Sequence, residues 1–466
     1  MVEDQQSDAQ LLTNSAVVLQ KSGWDALAQR LALVESAERS VDIQYYIWNS
    51  DASGIYLASR LIAAAERGVR VRVMLDDINL NEREDLLATL NAHPNIEIRI
   101  FNPISSRKGN AKMLRVLGDF SRLNRRMHNK TFTVDGALSI VGGRNIGDEY
   151  FDLSDEINFR DRDALVMGDV VHEVESSFAT YWDSPWAYPI TLLGGEADLQ
   201  IPDISQVSAP VYQNYPALPQ DKNTAHRYLT QVMAEMNWVR AMFIADQPVP
   251  DNAANTDVPK ATALRLGRYA QNAQQQVLIE SAYLVFDDRQ LKGLKTLIDD
   301  GVEIKALTNS MVSNDLLTNH SGYAGRRQDM LEHGIELFEL KPSTALCQTS
   351  TKDRSKCAPT VPYGLHTKSV VFDRKYAGIG SFNFNLRSTY LNTESVLLIE
   401  DKAFAELLAQ DIEQTMLDEN SWHLELDQGD IRWYSGGQSW NTDPDTGRWE
   451  RFQSRFIQLF PIEKYL

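Results

Sequence analysis

Residues 128–135, HNKTFTVD, and 366–373, HTKSVVFD, are two copies of one pattern, His-x-Lys-x4-Asp. In each copy His and Lys alternate within an apolar stretch that reads as a strand, so both project to the same side. Seven to ten residues after each Asp come Gly142-Gly143-Arg144-Asn145 and Gly380-Ser381-Phe382-Asn383. Small residues there let a bound phosphate approach the backbone, and Asn supplies amide donors. By ordinary residue frequencies a given His acquires this Lys and Asp roughly once in a few hundred cases. Two of the chain's eight histidines do so. The others, such as His93, His172 and His320, read as structural.

Working outward, the surroundings of the motifs also repeat. VDIQYYIW (41–48) reads as a buried strand, followed by a helical stretch (GIYLASRLIAAAERG) and the strand VRVRVML (69–75). Residues 277–310 give the same order in VLIESAYLV, LKGLKTLIDDG and VEIKALTNS. Gly68 and Gly301 precede the matching strands, 233 residues apart, and the motif histidines are 238 apart. IEIRIFNP after His93 has its counterpart in IELFELKP after His333. Such agreement indicates an internal duplication. Alternating strands and helices predict an α/β protein of two similar lobes, each a mostly parallel sheet flanked by helices. The expected division is an N-terminal segment (1–30), a first lobe (31–195), a connector (196–262), a second lobe (263–415) and a C-terminal aromatic and basic segment (416–466). Within the connector, 224–247 reads as helical.

The chain of 466 residues has 43% hydrophobic and 24% charged residues and a formal net charge of −18. An acidic total argues against a nucleic-acid partner, so none is expected; an anionic substrate must be met by a local basic patch. No apolar run reaches the length of a membrane span. The start, MVEDQQSDAQLL, lacks the basic and apolar regions of a signal peptide, and a leader cleaved ahead of Met1 stays compatible with it. Cys347 and Cys357 lie in a polar loop with poor zinc-site spacing. They read either as a loop-closing disulfide, implying an oxidising compartment such as a periplasm, or as two free thiols.

Phosphodiester chemistry accounts for the motif set. A neutral imidazole attacks phosphorus when a carboxylate fixes its tautomer, giving a phosphohistidine. A second, protonated imidazole gives a proton to the leaving oxygen and later takes one from the incoming nucleophile. Two lysines and two asparagines hold the phosphoryl oxygens where negative charge develops. Fixed ammonium charges fill the place of a metal, so neither metal nor cofactor is expected.

On these motifs the chain resembles the phospholipase D superfamily over about residues 30–415. The resemblance implies that the lobes meet so that both motifs form one shared active site. It implies His128 as nucleophile and His366 as general acid/base, with Lys130, Lys368, Asn145 and Asn383 binding phosphate. That family orients each histidine with a carboxylate farther along the chain. Asp161 matches the first, with Asp163 a weaker candidate, and Glu394 the second; Asp135 and Asp373 support the motif strands. QYYIWNSDASG, DFSRLNRRMHNK, VGGRNIGDEYF and GSFNFNLRSTYLNTE are similar to bacterial cardiolipin synthases, the type-C branch above all. The Cys347–Cys357 loop departs from that branch.

The resemblance implies ping-pong phosphatidyl transfer, with phosphatidylglycerol as acceptor and phosphatidylglycerol or phosphatidylethanolamine as donor. Hydrolysis to phosphatidic acid and cleavage of nucleic acid are the alternatives within the superfamily, and a non-enzymatic lipid-binding module the alternative outside it. Two stretches suit phospholipid at a membrane surface, and the chain is expected to lie peripherally on the periplasmic side of a bacterial inner membrane. Residues 107–130 carry Arg107, Lys108, Lys112, Arg115, Arg122, Arg125, Arg126 and Lys130 against Asp119 alone, interleaved with apolar residues. Residues 448–460 place Trp449, Phe452, Phe456 and Phe460 on one helical stripe beside Arg448, Arg451 and Arg455. An interfacial helix and ordinary packing against a lobe both fit the second stretch.

Overall fold

The computed structural model describes residues 13–20, 22–80, 84–104, 123–193, 207–211, 215–248, 258–351, 353–460 and 463–465. Strand β1 (Thr13–Gln20) and helix α1 (Gly23–Ser36) lead into β2 (Ser40–Tyr45), β3 (Arg70–Asp76) and β4 (Ile96–Phe101), joined through α2 (Ala52–Glu66) and α3 (Glu84–Asn91). These three strands pair in parallel, Val41 beside Val71 and Val71 beside Ile96. The lobe continues with β5 (Thr131–Val134), β6 (Leu138–Gly142), β7 (Asn158–Arg160), β8 (Asp163–Gly168), α4 (Asp169–Trp182) and β9 (Ala187–Pro189).

The second half follows the same plan. After α5 (Lys222–Ala234) come β10 (Asn237–Ala245), α6 (Ala261–Gln271), β11 (Gln276–Ser281), α7 (Asp288–Asp299), β12 (Glu303–Asn309), α8 (Leu317–Glu332) and β13 (Glu336–Leu340). The chain then forms α9 (Leu346–Ser350), β14 (Tyr363–Leu365), β15 (Lys368–Phe372), β16 (Tyr376–Gly380), α10 (Leu386–Tyr390), β17 (Ser395–Glu400) and α11 (Lys402–Met416). An extension adds β18 (Ser421–Asp427), β19 (Asp430–Ser435), β20 (Gln438–Trp440) and α12 (Arg448–Ile457).

The strand pairings build one sheet of 18 strands across both lobes. From β4 the order runs β3-β2-β5-β6-β8-β1, and from β13 it runs β12-β11-β15-β16-β17-β10. The two series meet where β1 pairs antiparallel with β10, Ser15 beside Val239. Motif strands therefore occupy equivalent places on either side of that pair.

The sheet is mixed, a correction to the mostly parallel sheets expected. Among the described residues, only β2–β3–β4 and β11–β12–β13 run parallel within it. Long helical crossovers connect those strands, whereas β5–β6 and β15–β16 are joined by turns too short for anything but antiparallel pairing. The reading of 224–247 as helical is also corrected: α5 ends at Ala234 and β10 begins at Asn237. NWVRAMFIA buries Val239 and Ala241 on one face, with Met242 and Ile244 on the other, and this two-sided burial selects a strand. Part of the 196–262 stretch thus lies in the middle of the sheet.

Central strands are buried on both faces, which explains their near-continuous apolar runs. In β15, Val370 and Phe372 enter the second lobe's own core, while Val371 joins a core shared by both lobes. That shared core also holds Val17, Val166, Leu278 and Ile379, covered by α4 and α11. Gly68 (φ 93°) and Gly301 (φ 92°) adopt the left-handed conformation just past α2 and α7, where a helix ends and the next strand starts.

Candidate active site

Each motif histidine begins just ahead of its strand and is fixed by the other lobe. The His128 amide donates to Thr393 O at 2.9 Å, and the Thr393 amide donates to Arg126 O at 2.9 Å. The His366 amide donates to Arg160 O at 2.8 Å, beside the parallel pairing of β7 with β14. The segment carrying each downstream carboxylate is thereby stitched to the opposite motif.

The side chains repeat this crossing. His128 Nδ1 lies 2.8 Å from Glu394 Oε2, and His366 Nδ1 lies 2.5 Å from Asp161 Oδ2. Asp161 and Glu394 are the carboxylates singled out in sequence, but each meets the histidine of the other lobe instead of its own. Asp163, the weaker candidate, pairs with buried Arg30 at 2.7 Å. Ser381 Oγ and Ser388 Oγ each donate to Glu394 at 2.6 Å. An Nδ1–H held by an anion leaves Nε2 as the free lone pair of a neutral imidazole.

Burial sets the charge states. It pulls His128 down to about 4, helped by Lys130 and opposed by Glu394. His366 falls to about 3 through burial and Lys368, opposed by Asp161. Burial pushes the Glu394 carboxyl up, but His128, Lys130 and Ser381 outweigh it and hold Glu394 below its usual range. Burial acts the same way on Asp161 and is overcome by His366 and Lys368. Both carboxylates are ionised and both imidazoles neutral near pH 7. Burial first, and the neighbouring lysines after it, favour the neutral form of both imidazoles.

Lys130 and Lys368 donate to the carbonyls of their own motif histidines. Burial lowers Lys368 to about 8 and brings Lys130 well below the ordinary lysine range. Their ammonium groups lie over the rings of Tyr46 and Tyr283, 5.2 and 6.0 Å from the centroids. Tyr46 also meets the His128 ring edge-on at 4.8 Å, and Tyr150 meets His366 at 5.0 Å. Sequence reading did not single out these tyrosines or Ser388, and it took Ser381 only as a small residue beside phosphate, not as a donor to Glu394. The available signal was the repeat itself, since Tyr46 and Tyr283 stand 237 apart, close to the spacing of the histidines.

The Gly/Asn segments wrap the carboxylates. A Cβ at Gly143 would lie 2.6 Å from Asp161 Oδ1, and one at Gly380 2.1 Å from Ser395 O, so close approach demands glycine at both. Asn145 and Asn383 are buried, and Asn383 Oδ1 has no hydrogen-bond partner among the described residues. Asp135 and Asp373 sit at the far ends of the motif strands. Asp135 accepts from the Glu38, Arg39 and Ser40 amides at 2.7–2.9 Å. Asp373 does the same for the Gln274, Gln275 and Gln276 amides.

In the basic stretch, residues 107–122 lie outside the described residues, while Arg126 is buried in an ion pair with Asp76 at 3.1 Å. Cys347 and Cys357 form a disulfide whose loop reaches Asn158 of β7, the side-chain Nδ2 of Asn158 donating to Lys356 O at 3.1 Å. Among the described residues no group of three or more His, Cys, Asp or Glu is arranged for a metal ion.

This fold and paired site define a phospholipase D-type enzyme. The family model described as "Cardiolipin synthase, PLD-like domain" matches residues 31–182 and 266–416, and the chain belongs to that family within the phospholipase D superfamily. Its relatives include cardiolipin synthase C of Escherichia coli K12, 38% identical over 468 residues, covering 96% of this chain and 94% of that protein. Cardiolipin synthase A of Pseudomonas entomophila is 24% identical over 402 residues, covering 86% and 68%. Among solved structures, phosphatidylserine synthase of Haemophilus influenzae shares the fold with a TM-score of 0.61 at 14% identity, covering 97% and 95% of the two chains.

Proposed function

We propose that this chain, a phosphatidyltransferase of the phospholipase D superfamily, makes cardiolipin by ping-pong transfer at one active site formed by both motifs. The carrying observation is the crossed pairing of each motif histidine with a carboxylate of the other lobe. His128 Nε2 attacks the phosphorus of a donor phospholipid, phosphatidylglycerol or phosphatidylethanolamine. The bond to the headgroup oxygen breaks as His366 delivers a proton to it, leaving a phosphatidyl group on His128. The hydroxyl of a phosphatidylglycerol acceptor then attacks phosphorus, passing its proton to His366 as the P–N bond breaks.

His366 needs a proton at the outset. A phosphodiester anion beside Lys130 and Lys368 offsets the cationic charge that depresses the imidazole, so substrate binding favours proton uptake. Lys130, Lys368, Asn145 and Asn383 hold the phosphoryl oxygens as charge develops. Asp135 and Asp373 support the motif strands. The disulfide supports a peripheral position on the periplasmic face of a bacterial inner membrane. The test is mass spectrometry of products from defined vesicles. Cardiolipin from phosphatidylglycerol, lost in His128→Ala, is the expected result; phosphatidic acid as main product, or undiminished cardiolipin from His128→Ala, overturns the proposal.

A further inference from the structure

Helix α12 presents an apolar face to solvent. Trp449, Phe452 and Phe456 are 66%, 57% and 53% exposed, and Leu459 and Phe460 extend the face past the helix end. Trp449 stacks on Phe452 and Phe456 meets Phe460, each pair 5.4 Å between centroids. At 3.6 residues per turn the first three fall within an arc of roughly 60°, with Arg448 and Arg455 along one edge. Glu450 points away and accepts from the Gly447 amide at 2.7 Å. The opposite side of α12 packs on α8, where Ser321 Oγ and Ser454 Oγ are 3.2 Å apart. Packing holds one side of α12 and leaves the aromatic side open.

We propose that this face docks the enzyme on an anionic phospholipid bilayer, an inference that rests on the phospholipid reading above and names the surface it requires. A chain of net charge −18 is repelled by anionic headgroups unless basic residues border the contact, and Arg448 and Arg455 stand on that border. Exposed aromatics bordered by arginines match the demands of the headgroup boundary. A stable second copy needs about 20–30 residues a side, far more than these few side chains supply. Arg387 on α10 links the segment after α12 to the approach to His128: it donates to Tyr465 O at 3.0 Å, eight residues past α12, and to Asn124 O at 3.2 Å, four residues before His128. The same α10 carries Ser388, which holds Glu394.

The experiment is co-sedimentation of the full chain with phosphatidylcholine vesicles with and without phosphatidylglycerol, alongside sedimentation velocity without lipid. We expect preference for the anionic vesicles, a loss on the order of 100-fold for Phe452→Ser/Phe456→Ser, and loss of salt-sensitive binding for Arg448→Gln/Arg455→Gln. Undiminished vesicle binding by the aromatic variant overturns the proposal. So does a lipid-free dimer that this variant dissolves while vesicle binding persists. Turnover of a dissolved short-chain phosphatidylglycerol separates the two readings. The aromatic variant should match the unaltered chain there and fall behind only on vesicles; no cardiolipin from either sinks the activity reading and leaves the binding result standing.

Discussion

Replacing Glu394 by Gln keeps the size of the side chain and removes one charge from the His128 pair. The carboxylate is fully buried and accepts from His128 Nδ1 at 2.8 Å and from Ser381 and Ser388 at 2.6 Å. A Gln has one accepting oxygen, so its NH2 faces either a serine hydroxyl or the imidazole. Facing the imidazole, it favours the tautomer with Nδ1 as acceptor and Nε2 protonated, which has no lone pair for phosphorus. The second loss is electrostatic. As His128 forms a bond to phosphorus its ring becomes cationic, and a carboxylate roughly 4 Å away at an effective dielectric of about 20 is worth on the order of 4 kcal/mol. That corresponds to about a thousandfold in rate. The assay is pre-steady-state formation of the phosphohistidine, trapped by rapid quench, with thermal unfolding measured in parallel. A Glu394→Gln protein that is folded and forms the intermediate within tenfold of the normal rate refutes the reasoning.

Other consequences are separable. Asp161→Asn should slow transfer from a phospholipid by a factor of ~10²–10⁴, yet barely slow phosphohistidine formation from a donor with a nitrophenol leaving group, which needs no proton; stopped-flow absorbance compares the two. Asp135→Ala and Asp373→Ala should each cost about 1–2 kcal/mol in urea unfolding while leaving KM and kcat near normal. Stability should fall as pH drops from about 6.5, the unfolded imidazole value, toward 4 and 3, where folded His128 and His366 titrate. In that window the unfolded chain binds more protons, so acid favours unfolding; a flatter pH profile of the denaturation midpoint in His128→Asn/His366→Asn checks it. Cys347→Ser/Cys357→Ser should lose ~2–3 kcal/mol by opening a short loop, read as a lower melting temperature.

The motifs and the duplication were legible because they depend on spacing along the chain. The same held for α2, whose apolar periodicity matches burial on one side of the sheet. What was illegible depends on which copy touches which. Asp161 and Glu394 occupy comparable places in the repeat, so spacing alone is satisfied equally by pairing within a lobe or across lobes. Antiparallel pairing in β5–β6 and β15–β16 was missed because two-sided burial erases the alternation that usually marks such strands. Tyr46 and Tyr283 fell inside the apolar stretches VDIQYYIW and VLIESAYLV, whereas β2 ends at Tyr45 and β11 at Ser281 and so leave both tyrosines beyond the strands.

The crossing also changes what the duplication means. A single lobe supplies a histidine and a lysine at the entry to one strand, but the carboxylate that fixes that histidine belongs to the other copy. An isolated lobe therefore has an imidazole without its tautomer lock and a buried carboxylate without its partner. The second defect is costly, since an unpaired buried charge is strongly destabilising. On the proposed reading, lobe association and assembly of the two histidine–carboxylate pairs are the same event, and the β1–β10 pairing sits at that junction. A substitution breaking β10, such as Ala241→Pro beside Thr13, should thus reduce both His128 and His366 reactivity together, although it touches neither. Loss of one histidine's reactivity with the other intact, measured by diethyl pyrocarbonate modification, contradicts that coupling.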